Sequence, residues 1–372
     1  MELSIAEWLP QQDFYRGNRD VTPTVDVLMK VPFQSGHHYI VDCKEQGIYQ
    51  FFADEQGNDI AHEASEWMKN GLDSGDPLTV GATLHGYLPE AIEVLSAPST
   101  SKSTLNFKVR ETTTGKKYMI RVFQYLLPGT ADEVVLLSQL SGPHFPSILG
   151  HVSVNLNDQQ YTISAVETLM EGTPGDELIR IYSAAGLYHH DQLFHLGETV
   201  RYLHDALAMA FPTEIWPSEY MAKVIMREYN ELLPTHPELE QFYDHLQTLI
   251  AAMPETFPAQ RVHGNLHMGR ALLSDDSWAI VDFTESVPSP DTLELRSATD
   301  DMSCLASSIR FFGATNPEWC DLVMPIVLEG YGLDPHDPVF RLCQTNRGLM
   351  MWARAENDYQ RRQAKRLLSF ED

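Results

Sequence analysis

The hydrophobic text of this chain changes period near residue 170, and that change constrains its fold more than any other feature. Before it, short apolar runs alternate with turn residues, the pattern of half-buried strands. After it, apolar residues recur every three or four positions, the stripe of an amphipathic helix. In HDQLFHLGETVRYLHDALAMAF, Leu193, Leu196, Val200, Leu203 and Leu207 fall on one such face. Strands first and helices afterwards predict an α+β chain. Its 372 residues exceed what one compact core accommodates, so two or three subdomains are expected.

The runs Thr24–Val31, His38–Val41 and Gly47–Phe52 read as strands of an N-terminal β-rich subdomain, with a helix over Asp59–Gly71. Residues 92–97, 104–111 and 117–126 read as three more strands. The last two join through Thr112-Thr113-Thr114-Gly115-Lys116, a hairpin turn. The stretch ADEVVLLSQLSG has helical spacing and stops at Gly142. His151–Val154 and Tyr161–Val166 form a further strand pair. Later helices fit 218–232, 238–252, 301–312, 317–331 and 338–369, with one strand–loop–strand unit, 261–283, between them. The boundaries that follow are 1–91, 92–170 and 171–372.

Fifty-two carboxylates against 26 Lys and Arg give a net charge of −26. Such a surface repels nucleic acid and anionic membrane, which need basic residues to replace their counterions, so neither is an expected partner. No apolar run is long enough to span a bilayer, and MELSIAEWLPQQ lacks the basic and apolar regions of a secretory signal, which points to the cytoplasm. Cys43, Cys304, Cys320 and Cys343 form no CxxC pair and are expected as buried thiols. His37-His38 and His189-His190 read as surface pairs, and the basic run Arg354, Arg361, Arg362, Lys365, Arg366 as a solvated helix face.

The most informative local text is Arg261-Val262-His263-Gly264-Asn265-Leu266-His267-Met268-Gly269-Arg270, followed by Trp278-Ala279-Ile280-Val281-Asp282-Phe283. It resembles the HGDLHLGQ…W…DFEGEP run of maltokinases, within the aminoglycoside-phosphotransferase-like kinases. Trp8-Leu9-Pro10-Gln11-Gln12 with Gly17 is similar to the opening of that family's N-terminal cap. Arg121-Val122-Phe123 with Leu127-Pro128-Gly129 is similar to its lysine strand and following turn, and Leu196-Gly197 through Leu203-His204 to its LGRRTAELH helix. The resemblance implies a two-lobed, protein-kinase-like fold. Residues 1–91 would be the cap, 92–170 the β-rich nucleotide lobe, and 171–372 the helical lobe carrying the catalytic hairpin 261–283.

The resemblance also assigns roles, and several positions depart from them. The family's catalytic Asp corresponds to Asn265, whose amide takes up no proton at neutral pH. The second magnesium ligand, a Gln, corresponds to Arg270, a permanent cation. Asp282 keeps the principal metal-ligand type. The phosphate-gripping lysine corresponds to Arg121, and its helix partner Glu to Val135, with Asp132 and Glu133 one turn earlier. The phosphate loop corresponds to Ser96–Asn106 and retains hydroxyls, Ser103 among them. Lys108, on the neighbouring strand, would replace the phosphate cation if it points into the cleft, and Glu285 would serve as a displaced base or metal ligand. His263 would fix the catalytic loop by hydrogen bonding. This outweighs a zinc role for His263 and His267, because the Glu of an HExxH site is missing. Arg270 is expected to pair with Asp282 and to stand in for magnesium.

Taken together, these departures predict a maltokinase-like pseudokinase, a structural or regulatory partner of the trehalose synthase beside which that family works. ATP and Mg²⁺ would bind only if the remaining groups suffice. The alternative is an active ATP-dependent sugar kinase, converting maltose to maltose 1-phosphate or acting on an amino sugar such as glucosamine. A third reading is a sugar- or nucleotide-binding sensor.

Overall fold

The computed structural model describes residues 4–33, 35–44, 46–60, 82–89, 91–101, 104–283, 295–355 and 357–369. They fall into two compact units. One comprises residues 1–138 with 146–169, and the other 139–145 with 170–372.

The first unit is β-rich. A short helix α1 (Ile5–Trp8) precedes an antiparallel meander of β1 (Asp26–Phe33), β2 (Gly36–Asp42) and β3 (Ile48–Asp54), against which β9 (Tyr125–Leu126) also pairs. Both faces of β2 and β3 are covered. Tyr39, Val41, Tyr49 and Phe51 pack with Leu9, Phe14 and Tyr15. Ile40 and Phe52 face the other way and join the core of a second sheet. Burial on both faces explains why these strands read as near-continuous apolar runs. That second sheet has the order β4 (Ala82–Gly86), β10 (Ile148–Leu156), β11 (Gln159–Thr168), β8 (Lys117–Phe123), β7 (Thr104–Glu111), β5 (Ile92–Val94), with β6 (Ser99–Ser101) also on β7. The helix α2 (Asp132–Gln139) lies between β9 and β10.

A boundary at residue 91 therefore falls inside one continuous sheet, since β4 pairs with β10 along Gly86↔Gly150 to Ala82↔Val154. The expected cap and nucleotide lobe share a core. Gln50 ties them further, donating from Nε2 to the carbonyls of Phe123 and Ile163 at 2.8 and 2.9 Å. Its Oε1 lies 2.9 Å from His38 Nε2. His38 is thus buried and not at the surface, and burial pushes its pKa down to about 4 despite the bond to Gln50. The hairpin of β7 and β8 forms as expected, with Gly115 in the left-handed conformation its turn requires. Of the helix expected over 59–71, residues 61–71 lie outside the described residues.

The second unit is mostly helical. Its elements are β12 (Thr173–Pro174), α3 (Gly175–Ala185), α4 (His190–Ala210), β13 (Glu214–Pro217), α5 (Ser218–Leu232), α6 (Tyr243–Ala251), β14 (Thr256–Ala259), β15 (Ala271–Ser274), β16 (Ser277–Ile280), α7 (Ala298–Phe312), α8 (Pro317–Tyr331), α9 (Pro338–Ala353) and α10 (Asp358–Ser369). The predicted stripe on α4 is fully buried. Its backbone meets α8 so closely that a Cβ on Gly197 would lie 2.1 Å from the Val327 carbonyl oxygen, and one on Gly330 2.0 Å from that of Phe194. The helix expected over 338–369 is two helices. The break lets α10 return onto α9, placing Leu367 and Leu368 against Gly348. Its Arg361, Arg362, Lys365 and Arg366 stay exposed. The four cysteines are buried and unbridged, and no helix among the described residues is long and apolar enough to cross a membrane.

Candidate active site

In the second unit the segment 261–283 folds as a loop, a turn of 3₁₀ helix (Met268–Arg270) and the hairpin β15–β16. The hairpin turns on Asp275 and Asp276, both at positive φ, as a two-residue connection requires. Trp278 anchors it from the core, its Nε1 donating to the Gln192 carbonyl at 2.7 Å.

The loop is held from below by Asp301, in the first turn of α7. This fully buried carboxylate accepts from the backbone N–H of His263 at 2.7 Å and of Gly264 at 2.9 Å. His204 of α4 places Nε2 3.1 Å from the same carboxylate, and its Nδ1 lies 2.7 Å from the Tyr331 hydroxyl. Because a carboxylate only accepts, His204 carries a proton on Nε2. Burial opposes ionisation of Asp301, but the bonds from His204 and the His263 backbone prevail and hold its pKa below the ordinary carboxylate value. Asp301, His204 and Tyr331 were not singled out from sequence as site residues. The only local signal was the Asp300-Asp301 pair, which reads equally well as acidic residues at a helix start.

His263 has no solvent exposure. Its Nε2 lies 3.1 Å from the Val281 carbonyl, its Nδ1 accepts from the Asn265 backbone N–H at 3.4 Å, and its ring packs on Phe283. It thereby links the loop to the segment carrying Asp282. Burial pushes its pKa down to about 4, with Arg270 adding to the shift and Asp301 opposing it, so it is neutral at physiological pH. Between pH 6.5 and 4 the unfolded chain therefore binds a proton that native His263 refuses, and stability must fall as pH is lowered through that window. About 3 kcal/mol is expected from this group. Urea unfolding of the protein from pH 7 to 4.5 checks this, and stability that stayed level or rose would contradict it.

Asn265 and Arg270 sit on this braced loop with Asp282 beside them. Asp282 adopts φ 63, a left-handed conformation unusual for a residue other than glycine. Arg270, 7% exposed, donates from Nη1 to the main-chain carbonyl of Asp282 at 2.7 Å, a contact with the backbone and not the carboxylate ion pair that was expected. The guanidinium thus lies against the Asp282 backbone. Among the described residues no three His, Cys, Asp or Glu side chains gather to hold a metal. Asp282 alone suits an ion held mainly by nucleotide phosphates, the usual magnesium arrangement. Such an ion would neutralise charge on those phosphates. Glu285 lies outside the described residues.

In the first unit Arg121 is 2% exposed. Its Nε lies 3.0 Å from Glu133 Oε1, its Nη2 2.9 Å from Glu167 Oε1, and its Nη1 donates to Asn106 Oδ1 at 3.2 Å. The helix partner is therefore Glu133 and not Val135, which points to solvent on the opposite side of α2. The strand-cation–helix-glutamate pair persists, with Arg for Lys and a second carboxylate added. Lys108 lies on the same sheet face as Asn106 and Arg121 and is exposed. Ser103 lies outside the described residues.

A strand cation paired to a helix glutamate, and a catalytic-type loop braced by a buried aspartate, are parts of a phosphotransferase fold. Residues 96–320, well over half of the chain, match the phosphotransferase enzyme family (APH), and the chain belongs to that family. Among solved structures it is similar to a glucosamine kinase crystal form at a TM-score of 0.67 and 14% identity, covering 100% of this chain and 98% of that one. It is also similar to glucosamine kinase in complex with glucosamine, ADP and inorganic phosphate, at a TM-score of 0.64 and 15% identity over 100% of both chains. At these identities the likeness is one of fold.

Proposed function

We propose that this chain is an ATP-dependent sugar kinase of low turnover, moving a phosphoryl group from ATP to a sugar hydroxyl. The observation that carries this reading is the bracing of the loop 263–265 by Asp301. A buried carboxylate with three hydrogen-bonding partners is costly to desolvate, and here it serves to hold the loop that presents Asn265. The Arg121–Glu133 pair adds support, because it keeps the device that positions the nucleotide lobe in active kinases. Phosphoryl transfer passes through a loose transition state in which positioning outweighs proton removal. Losing the base therefore slows such an enzyme without removing its logic. Asn265 would orient the sugar hydroxyl by hydrogen bonding, its proton passing to water or to the transferred phosphoryl oxygens. Maltose, from the sequence resemblance, and glucosamine, from the structural neighbours, are the first sugars to try.

The second reading is a non-catalytic member of the family, binding a partner such as trehalose synthase. It is favoured by the residue at the base position, Asn265, and by the cation Arg270 at the second metal-ligand position. ADP release measured with ATP, Mg²⁺ and a panel including maltose and glucosamine separates the two. Sugar-dependent turnover well above background is expected. Its absence with every sugar, together with co-purification with trehalose synthase, would establish the second reading instead.

A further inference from the structure

The second unit contains a cavity of about 450 Å³, a size suited to a small ligand. It is walled by α5, by α9 and by the residues entering α7. Its charge is the reverse of the protein's. Four of its seventeen lining residues are arginines, Arg227, Arg296, Arg347 and Arg354, facing only two carboxylates, Asp300 and Glu228. Across the whole chain Lys and Arg together number 26 of 372, and carboxylates outnumber them two to one. A local positive excess in so acidic a molecule selects anions and repels ammonium groups.

The arginines are of two kinds. Arg296 and Arg347 both bind Asp300, at 3.3 and 3.2 Å, which fixes their forks at the head of α7. Arg227 and Arg354 are exposed and take part in no ion pair among the described residues, so they are available to a ligand. Two further features define what else the ligand carries. Asn346 donates to Glu228 at 3.0 Å, while its Oδ1 is buried without a hydrogen-bond partner, an acceptor that a ligand hydroxyl would satisfy. Opposite, Trp216 forms an aromatic wall with Tyr220 and Phe257, ring centroids 5.3 and 6.3 Å away, of the kind on which an apolar ring face lies.

We infer that this cavity is a binding site for an anionic sugar, a pyranose carrying a phosphate or carboxylate group. Its charged end meets Arg227 and Arg354 beside the fixed pair, a hydroxyl donates to Asn346, and the ring lies against Trp216. Asn265, Arg270 and Asp282 are not among its lining residues. Asp300, which organises it, is followed directly by Asp301, which braces the catalytic-type loop, so occupancy would be felt at that loop.

The test is direct binding by calorimetry to the full-length protein without ATP, using glucose 1-phosphate, glucuronate, glucose, glucosamine and inorganic phosphate. Glucose 1-phosphate or glucuronate is expected to bind at least tenfold more tightly than glucose, with glucosamine weakest. Whichever anionic sugar binds identifies the source of the charge. Raising salt should weaken the anion and leave glucose unaffected. The double variant Arg227→Ala/Arg354→Ala changes two exposed side chains and should keep its fold. It should lose at least tenfold for the anionic sugar alone. Equal affinity for glucose and its phosphate, tightest binding of glucosamine, binding of inorganic phosphate as tight as the sugar phosphate, or no loss in the double variant would each overturn the assignment. A protein that binds the anionic sugar but shows no ADP release would refute the kinase reading and leave this site standing.

Discussion

Asn265→Asp is expected to raise sugar-dependent ADP release by about 10²- to 10⁴-fold, the usual worth of a positioned general base. The loop that would carry the new carboxylate is already in place. Asp301 holds its backbone at His263 and Gly264, and His263 fixes the Asn265 N–H and the Val281 carbonyl. Asp is close in size to Asn, so no repacking is required and the gain should appear mainly in kcat. Arg270 stays beside Asp282, so the gain should fall toward the lower end of the range, and adding Arg270→Gln should extend it. Asn265→Ala is the control. An amide that takes up no proton contributes only orientation, and its removal should cost no more than about tenfold. If Asn265→Asp leaves the rate unchanged while sugar still binds, the missing base is not what limits this protein. If the variant and the parent are both silent with every sugar, the non-catalytic reading holds.

The fold was largely legible because hydrophobic period and turn chemistry are local. The hairpin 104–123, the α4 stripe and the helices 218–232 and 317–331 follow directly from spacing. What spacing does not encode is tertiary selection. Helix α9 ends at Ala353 and α10 begins at Asp358, and Leu367 and Leu368 are buried by returning to Gly348, a contact between segments that look continuous. His38 reads as polar and sits in a core, because Gln50, diagonal to it on the neighbouring strand, bonds its ring. In the site, His263, Asn265, Arg270 and Asp282 were visible as one motif because they are close in sequence. Asp301, His204 and Tyr331 were not, since they come from three helices and converge only in space. The family resemblance placed Val135 as the partner of Arg121. Helix α2 instead directs Glu133 inward and Val135 outward, which restores a pair that sequence alone made look broken.

Asp301→Ala should be among the most damaging single substitutions in the second unit. It removes the acceptor of the buried His263 N–H and His204 and of the half-buried Gly264 N–H, and leaves them without that partner. Breaking a buried charged network in this way costs about 3–5 kcal/mol, which for a unit of this size lowers Tm by about 6–20 °C. The comparison that isolates the cause is Asp337→Ala. Asp337 also stands at a helix start and accepts from the Phe340 N–H at 2.8 Å, but in a half-buried cap worth about 1 kcal/mol. Asp301→Asn should fall between the two, because its one remaining carbonyl oxygen still serves one of the two backbone donors. Thermal unfolding of the three variants at pH 7 reads the order. If Asp301→Ala costs no more than Asp337→Ala, then the carboxylate does not hold the loop, and the bracing on which the kinase reading rests is lost with it.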